Sequence, residues 1–416
     1  MIVIKRDNTE VSYDLEKISI ALGGAFAECG KEFDDDSLLN KIEEEIFNRD
    51  YPAISVEEIQ DIIEEKLMSS GYIEEARAYI RYRYLHELNR KRKIEKDIEE
   101  KLLALNVVNQ NANIDEYSFG GRKGEADSVF MKQYALDHCM SKKSKENHLN
   151  NEIYIHDLDA YAVGMHNCLT IPFDDLLAKG FNTRQTDVRP ANSVNTAMQL
   201  VAVIFQLQSL QQFGGVSASH LDWTMVPYVR KSFWKHFKDG LKYCEDVAEE
   251  YILSEKYQKV VSIEDEFYKT YPLAYKYAMD MTEREVHQAV EGMYHNLNTL
   301  QSRSGNQLPF TSINYGTCTL PEGRMVTKAL LEVSIEGLGR LHKTSIFPCG
   351  IFQCMKGVNR KPGDPNYDLF RLALRSTAQR LYPNYANVDW SGNAGYDIND
   401  PRTYFSTMGK CKLQLM

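Results

Sequence analysis

The chain begins with a short alternation of apolar and polar side chains. In MIVIKRDNTEVSYDL, apolar residues lie at Ile2–Ile4 and again at Val11 and Tyr13, with the turn-forming pair Asp7-Asn8 between them. Alternation with a period of two residues on both sides of a turn is typical of a β-hairpin. The sequence therefore predicts that the chain opens with two short antiparallel strands.

After the hairpin, the apolar residues follow the spacing of amphipathic helices. Asp14 can cap a helix that begins near Leu15, and DDDSLLNKIEEEIFN predicts a second helix with an acidic first turn. Ser55 and Glu58 form a capping-box pattern at the start of a third helix, which ends at Gly71. A fourth helix covers YIEEARAYIRYRYLHELNRKRK. Residues 1–92 are therefore predicted to form one small, mainly helical domain.

The pattern changes in the rest of the chain. Residues 93–115 are a charged run that predicts a linker helix. From residue 116 onward, glycine pairs and polar clusters separate short apolar strands from long amphipathic helices. Residues 191–300 are dominantly helical in pattern, whereas LPFTSINYG and TSIFPCGIFQ have the composition of strands. Strands mixed with helices in this way predict an α/β fold rather than a helical bundle.

Length, charge and hydropathy narrow the classes of function. A chain of 416 residues is longer than one hydrophobic core usually serves, which favours two domains. Its net charge of -10 argues against a broad nucleic-acid-binding surface, although a local basic pocket for a nucleotide is compatible with it. The longest apolar runs, such as AMQLVAVIF, are too short to span a bilayer, and the N-terminus lacks a signal-peptide pattern. We therefore expect neither nucleic-acid nor membrane partners.

The eight cysteines are scattered along the chain and contain no CxxC pair, which argues against a zinc site built from this chain alone. Scattered thiols without a secretion signal are typical of a reducing compartment, so we expect a cytoplasmic location. Cys349 and Cys354 are expected to be structural. Cys168, in the stretch VGMHNCLT, is either a small core residue or a thiol with a chemical role.

Three cationic side chains lie near the predicted start of the first helix. Lys5 and Arg6 are on the hairpin, and Lys17 is in the first turns of the helix. Cations beside a helix N-terminus can receive phosphate groups, because charge and unpaired backbone N–H groups act together there. The alternative is that all three are ordinary surface charges, which is the usual situation of lysine and arginine.

The same stretch closely resembles the ATP-cone of ribonucleotide reductases. The resemblance covers residues 2 to about 92 and rests on the Lys-Arg-Asp run, the Asp-x-x-Lys-Ile run and the hydroxyl residue that opens a helix after a proline. It implies that this domain binds ATP or dATP as an allosteric effector. The positions that match nucleotide contacts in that family are Lys5, Arg6, Lys17, Ile18 and Ser55.

A second group of motifs lies between residue 115 and about residue 409. The strings GMHNCL, SLQQFGGVSASHLDWTMVPYVR, QSRSGNQLPFTSINYGT, IFPCGIFQ and YPNYANVDWSGNAGYD occur in that order. Taken alone, Gly214-Gly215 with Ser217 and Ser219 indicates either a turn or a backbone site for phosphate. Together, however, these long strings resemble the anaerobic (class III) ribonucleoside-triphosphate reductases.

This second resemblance implies a fold, a reaction and a set of partners. The family has a ten-stranded α/β barrel of the glycyl-radical enzyme type, so residues 116–409 are expected to form an incomplete barrel. Its substrates are ribonucleoside triphosphates, reduced by a thiyl radical on a finger loop. A glycyl radical, installed by a radical-SAM activase, and a cysteine-bound zinc belong to the full-length enzymes but are not encoded here. By the same resemblance Cys168 is the cysteine that faces the substrate, and residues 191–240 contribute to a homodimer contact.

The resemblance fails at the finger loop, where the family has Met-Gly-Cys-Arg and this chain has Met408-Gly409 followed by Lys410 and Cys411. We expect residues 410–416 to be an unrelated tail and the chain to be an N-terminal fragment. Cys411 is either a displaced thiyl position or a coincidental cysteine. Two functions therefore remain open: a reductase that needs a separate C-terminal portion, or a non-catalytic remnant that binds nucleotides and dimerises.

Overall fold

A computed structural model describes residues 1–5, 10–49, 52–103, 117–164, 167–212, 214–248, 250, 261–303, 306–389 and 396–408, without the side chains of 86, 87 and 89–93. Arg6, Cys411 and the predicted turn at Asp7-Asn8 lie outside these residues. The chain divides into two compact units. Unit 1 comprises residues 1–107 and 122–164, and unit 2 comprises residues 108–121 and 165–416.

Unit 1 opens with a small three-stranded sheet. Strands β1 (Ile2–Ile4) and β2 (Glu10–Ser12) form the predicted antiparallel hairpin, which is thereby confirmed. The third strand, β3 (Ala53–Ser55), pairs in parallel with β1 on the other side. Sequence patterns did not predict β3, because a strand of three residues between a proline and a helix has no periodicity to detect.

The helices of unit 1 begin where their capping residues predict. They are α1 (Leu15–Glu28), α2 (Asp36–Asn48), α3 (Val56–Ser69), α4 (Ile73–Leu102), α5 (Phe119–Tyr134), which begins in unit 2, and α6 (Lys142–Leu149). Asp14 accepts the N–H of Glu16, and Ser55 and Glu58 form the complete capping box. Helix α4 continues without interruption from the predicted fourth helix into the charged connector. A π-helical turn (Ala135–Cys139) and a 3-10 turn (Tyr161–Val163) complete the unit.

The core of unit 1 is aliphatic and is built by the first four helices and the sheet. Fully buried side chains from α1, α2 and α3 meet there, among them Leu22, Leu38, Ile42, Ile46 and Leu67. Their spacing of three or four residues within each helix is the apolar stripe that the sequence showed.

Unit 2 contains a parallel sheet of five strands in the order β10-β9-β8-β7-β4. These strands are β4 (Leu169–Thr170), β7 (Val216–Ala218), β8 (Thr311–Tyr315), β9 (Cys349–Cys354) and β10 (Asn384–Asn387). A separate antiparallel pair is formed by β5 (Phe181–Asn182) and β6 (Asp187–Val188). Parallel strands joined through helices confirm the α/β class and are consistent with part of a barrel.

The helices of unit 2 connect and cover these strands. They are α7 (Phe173–Lys179), α8 (Val194–Ser209), α9 (Leu221–Thr224), α10 (Val226–Cys244), α11 (Glu266–Lys269), α12 (Pro272–Thr299), α13 (Pro321–Glu336) and α14 (Tyr367–Arg380). Aromatic rings of α8, α10 and α11, including Phe205, Phe233, Phe237 and Tyr268, are completely or almost completely buried in one core. Helix predominates among the described residues of 191–300, as predicted, with β7 as an exception; residues 213, 249 and 251–260 lie outside the description. Within the described residues, no helix is both long and apolar enough to cross a bilayer.

Candidate functional site

The predicted nucleotide contacts of unit 1 are distributed around its small sheet. Ile4 pairs with Ser55 across β1 and β3, so Lys5, the next residue, lies close to Ser55 at the end of β1. Tyr13 donates its N–H to the carbonyl of Met1, so α1 begins beside the opposite end of β1. The structure therefore brings Lys5 and Ser55 together but separates them from the start of α1 by the length of a strand.

The side chains at these positions differ in their exposure to solvent and hence to a ligand. Lys5 and Lys17 are both exposed, and the Nζ of Lys17 lies 3.6 Å from a carboxylate oxygen of Asp14. Ile18 is only 5% exposed and packs in the core of unit 1, so its side chain has a packing role. These two exposed cations, one near each end of β1, can each receive an anionic group.

The hydroxyl of Ser55 already has two partners. Its Oγ accepts the N–H of Glu58 at 3.2 Å and donates to the Glu58 carboxylate at 2.8 Å. The backbone N–H of Ser55 and its hydroxyl both hydrogen-bond this carboxylate, which lowers the pKa of Glu58. Ser55 thus fixes the start of α3, and a hydroxyl that donates once can accept from a second donor as well.

In unit 2, Cys168 lies immediately before β4, against the glycine pair that the sequence had singled out. The N–H of Gly215 points at the Cys168 Sγ, at 3.4 Å. A Cβ on Gly214 would lie 1.7 Å from the carbonyl oxygen of Asn167. Glycine is therefore required at position 214, because the backbone of the Asn167–Cys168 segment passes too close for any side chain. In this structure, the glycine pair therefore contacts the Asn167–Cys168 segment and allows it to pack closely.

Buried polar side chains follow the sheet beside this segment. Ser217 is 2% exposed, and Ser312, Asn314 and Gln353 are completely buried. Ser312 and Asn314 are two residues apart in β8, so they share one face of the sheet, opposite Ile313. The Asn314 Nδ2 donates to the Ser217 Oγ at 3.3 Å and to the Ala218 carbonyl at 2.9 Å. We call Ser217, Ser312, Asn314 and Gln353 the polar face.

The polar face holds the segment that precedes the predicted finger loop. Asn314 donates to the carbonyl of Thr407 at 3.0 Å and accepts the Thr407 N–H at 3.2 Å. Gln353 donates to the carbonyl of Phe405 at 2.8 Å, while its Oε1 is buried with no partner among the described residues. Ser217 had been noted only beside the glycine pair, and Ser312, Asn314 and Gln353 were not predicted as site residues. The alternation of Ser312 and Asn314 with Ile313 is a signal that could have indicated those two.

Strand register gives the direction of this segment. Asn314 pairs with Ile351, so Gln353 lies two residues further along the parallel strands than Asn314. Because Phe405 is bonded to Gln353 and Thr407 to Asn314, the chain runs antiparallel to the strands. Cys168, which precedes β4, lies at the edge where the strands begin. The segment from Phe405 to Thr407 therefore runs towards the edge that holds Cys168.

A buried carboxylate fixes the loop that follows β8, at the carboxyl ends of the strands. One oxygen of Asp222 accepts the N–H groups of Gly316 and Cys318, each at 2.9 Å. The amides of Asn359 and Asn366 donate to the carbonyl of Gly316 from the opposite side. Burial raises the pKa of Asp222, although the two N–H donors partly offset this effect. The loop after β8 is thus fixed through its backbone.

A pocket of about 280 Å³ opens next to α7 and the segment at 400–402. His220 Nε2 lies 2.8 Å from one carboxylate oxygen of Asp174, and the Thr224 hydroxyl donates to the other at 2.6 Å. Burial alone would raise the pKa of Asp174, but these two hydrogen bonds and the charge of His220 hold it below its usual range. Asp400 and Arg402, which also line the pocket, pair with each other at 2.9 Å. The polar groups of the pocket are therefore engaged with one another.

The remaining thiols have a structural setting. Cys349 is 5% exposed in β9, and burial raises the pKa of Cys354 in the same strand. Both thiols lie on a strand of the parallel sheet, in keeping with the structural role predicted for them. Within the described ranges, no three His, Cys, Asp or Glu side chains are grouped so as to hold a metal ion.

Comparisons with known proteins match the two parts of the chain to two family models. Residues 110–416 match the family model described as anaerobic ribonucleoside-triphosphate reductase, and residues 1–88 match the ATP cone domain. The anaerobic ribonucleoside-triphosphate reductase of Haemophilus influenzae is 32% identical over 394 residues, covering 93% of this chain and 52% of that protein. The Escherichia coli protein of the same name is 30% identical, covering 93% of this chain and 51% of that protein.

Among solved structures, the anaerobic ribonucleotide reductase of Thermotoga maritima in complex with dATP and CTP aligns with a TM-score of 0.43 and 15% identity. This alignment covers 66% of this chain and 44% of the other. The chain spans about half the length of the curated relatives that it matches.

Proposed function

Because the chain belongs to the anaerobic ribonucleoside-triphosphate reductase family, we propose that it takes part in the reduction of ribonucleoside triphosphates to deoxyribonucleoside triphosphates. In this proposal unit 2 supplies the substrate-facing thiol and unit 1 binds the allosteric effector. The match of both family models along one chain supports this division of labour. Reduction would further need the part of the relatives' length that the chain does not span.

The observation that carries the proposal is the setting of Cys168. The Gly215 N–H points at its sulfur, and Gly214 allows the backbone of the cysteine segment to pack closely. The chain from Phe405 to Thr407 runs along the polar face towards the same edge of the sheet. A thiol whose neighbouring backbone is fixed in this way can be held in one position against a sugar, as hydrogen transfer requires.

The proposed reaction is the one that the family catalyses, in which the thiyl radical belongs to the finger loop. A thiyl radical removes the 3′ hydrogen of the ribose, the 2′ hydroxyl leaves as water, and formate or a thiol supplies the electrons. In the family a glycyl radical, installed by an activase, generates the thiyl radical and a zinc lies near that glycine, so the proposed reaction would require the same groups. Cys168 would face the sugar and deliver hydrogen to it, which requires a weak S–H bond at that position.

We propose that unit 1 binds ATP or dATP through Lys5, Arg6, Lys17, Ile18 and Ser55. The exposed cations Lys5 and Lys17, and the position of Lys5 beside Ser55, support the assignment. Ile18 would contribute through its backbone, because its side chain is 5% exposed. Arg6 is included because it follows Lys5 in the matching sequence motif.

We also propose a homodimer in the cytoplasm, with residues 191–240 in the subunit contact. Leu207 and Leu210, at the end of α8, are 41% and 57% exposed, which leaves apolar surface for a partner. A chain that sediments as a monomer at all accessible concentrations would contradict the dimer.

The reductase role can be tested by substituting Cys168 with serine. The chain would be co-expressed anaerobically with a polypeptide carrying the half of the relatives that it does not match, together with an activase, S-adenosylmethionine and formate. Cys168→Ser should abolish deoxyribonucleotide formation and leave nucleotide binding unchanged, because an O–H bond is too strong to replace the S–H bond. Product formation measured by chromatography is the readout.

Cys139→Ser is the matched control, since Cys139 is an exposed thiol in unit 1 and should not affect turnover. Turnover of Cys168→Ser within about tenfold of the unsubstituted chain, equivalent to about 1.4 kcal/mol, would show that Cys168 is only a packing residue. If the unsubstituted chain forms no product with the added polypeptide, the alternative of a nucleotide-binding remnant is favoured instead.

A further inference from the structure

Two side-chain amides on neighbouring strands hold one stretch of main chain. Asn314, in β8, forms a reciprocal pair with the peptide group of Thr407, donating to its carbonyl at 3.0 Å and accepting its N–H at 3.2 Å. Gln353, in β9, donates to the carbonyl of Phe405 at 2.8 Å. Three hydrogen bonds from completely buried side chains thus reach a segment of three residues.

Both amides are themselves fixed before they contact the segment. Asn314 also donates to the carbonyl of Ala218 at 2.9 Å and to the hydroxyl of Ser217 at 3.3 Å, so its side chain is oriented by β7. Gln353 is completely buried, and its Nε2 also donates to the carbonyl of Ser219 at 3.5 Å. Side chains oriented in this way lose little freedom when they bind a partner, and they specify its position closely.

The segment is also held by apolar packing on either side of the amide contacts. Tyr404 is 7% exposed and packs with Met355 and Val388 in a separate small core. Met408, immediately after the amide contacts, is 7% exposed as well. The polar contacts therefore decide the position along the sheet of a segment that apolar packing alone would hold less specifically.

We propose that Asn314 and Gln353 are positioning residues that set how far the chain at 405–408 extends across the sheet towards Cys168. Their assignment to the reaction rests on the proposed function, in which Cys168 faces the substrate. A displacement of about 1 Å in such a segment can cost about a hundredfold in rate. The amides would act through the main chain without contacting the substrate.

The test uses the whole chain and amide hydrogen exchange followed by mass spectrometry. In Asn314→Leu, which keeps the number of side-chain heavy atoms but removes the hydrogen bonds, the peptide covering 404–408 should exchange about tenfold faster or more. Gln353→Leu should have a smaller effect on the same peptide, since it removes one of the three hydrogen bonds. Peptides from unit 1 should not change in either variant.

Asn366→Leu is the matched control. Asn366 is also a completely buried asparagine that donates to two carbonyls, those of Gly316 and Cys318, but it does not contact the segment. It should destabilise unit 2 to a similar extent while leaving the exchange of 404–408 unchanged relative to the rest of the sheet.

Asn314→Asp provides a rescue experiment. A protonated carboxyl offers one donor and one acceptor, enough for the two hydrogen bonds to the Thr407 peptide group, although it lacks the second donor of the amide. Burial raises the pKa of a carboxyl. Protection of the 404–408 peptide, relative to the unsubstituted chain at the same pH, should therefore return near about pH 5 and be absent near about pH 8. A residue that merely fills space would show no such dependence.

Equal acceleration of 404–408 in Asn314→Leu and Asn366→Leu would overturn the proposal, and so would unchanged exchange in Asn314→Leu. In the co-expression assay the same leucine variant should lower kcat and leave KM for the ribonucleotide unchanged. Failure of that assay for the unsubstituted chain would count against the proposed function alone, because the exchange measurement does not depend on turnover.

Discussion

The candidate functional side chains of unit 1 are exposed to water, whereas the polar side chains singled out in unit 2 are buried. In unit 1 the cations Lys5 and Lys17 are exposed beside a small sheet. In unit 2 the amides of Asn314 and Gln353 are completely buried on the face of a parallel sheet. An exposed cation is solvated whether or not a ligand is present, whereas a buried amide must find partners within the protein.

This difference determines how each site should respond to substitution. Removing a surface cation from unit 1 deletes one ligand contact and leaves the fold as it was. Disturbing the surroundings of Cys168 or the polar face changes packing and backbone position in unit 2, so stability and geometry change together. Comparing substitutions in unit 1 with substitutions in unit 2 can therefore separate effects on ligand binding from effects on stability.

The largest effect is expected for Gly214→Ala. The new Cβ would lie 1.7 Å from the carbonyl oxygen of Asn167, so the backbone beside Cys168 must move, at a cost of about 3 kcal/mol in the free energy of unfolding of unit 2. Urea unfolding followed by tryptophan fluorescence measures this change, because all three tryptophans of the chain, at positions 223, 234 and 390, belong to unit 2.

Gly292→Ala is the control for that experiment, since no heavy atom lies within 4 Å of a Cβ added there. As a helical position in α12, it should be neutral or stabilising by up to about 1 kcal/mol. If Gly214→Ala unfolds at the same urea concentration as Gly292→Ala, the close approach of the cysteine segment does not constrain unit 2.

An intermediate effect is expected for the lysines of unit 1. Lys5→Ala and Lys17→Ala should each weaken ATP or dATP binding by about 1–2 kcal/mol, the scale of one lost charge-assisted hydrogen bond. Titration calorimetry on the whole chain measures the affinity, and the unfolding of unit 2 should not change. Lys66→Ala is the control, because the Lys66 Nζ already pairs with Glu45 at 2.9 Å. Unchanged affinity in both test variants would remove the nucleotide assignment from unit 1.

The smallest effect is expected for Asp174→Asn at the pocket of unit 2. The pKa of Asp174 is lowered in the folded chain, so its contribution to stability is present above the pKa of the unfolded state and is lost as pH falls through the folded pKa. Its side chain is 40% exposed, so solvent screening limits the contribution to less than about 1 kcal/mol.

Unfolding of this variant and of the unsubstituted chain should therefore differ near neutral pH and converge in acid. The exposed aspartate Asp187 supplies the control, since Asp187→Asn should show no such convergence. A difference for Asp174→Asn that stays constant from neutral to acidic pH would indicate that the His220 contact acts through shape and not through charge.

Sequence patterns predicted the local features of unit 1 well. Asp14 and Ser55 cap the helices they were expected to cap, because a cap depends on residues within three positions of each other. Strand β3 was missed, because its pairing with β1 joins residues far apart in the chain. The nucleotide contacts came from a motif, and they stay a prediction.

In unit 2 the sequence predicted the α/β class and indicated Cys168, but not the polar face. Ser312 and Asn314 are residue types usually found at surfaces, and only the pairing of β8 between β7 and β9 buries them. Gly214 was noticed as a turn residue, while its close approach to Asn167 depends on contacts that spacing cannot predict. Motifs therefore indicated a candidate thiol, whereas its surroundings are visible only in the folded sheet.

The amide contacts to Phe405 and Thr407 also bear on how this segment can evolve. Asn314 and Gln353 bond to carbonyl and N–H groups that every residue type except proline carries. Substitutions at 405–407 can therefore accumulate with little penalty, whereas inserting or deleting one residue would exchange donors for acceptors along the whole stretch. Divergent homologues should accordingly keep the length of this segment more strictly than the identity of its residues.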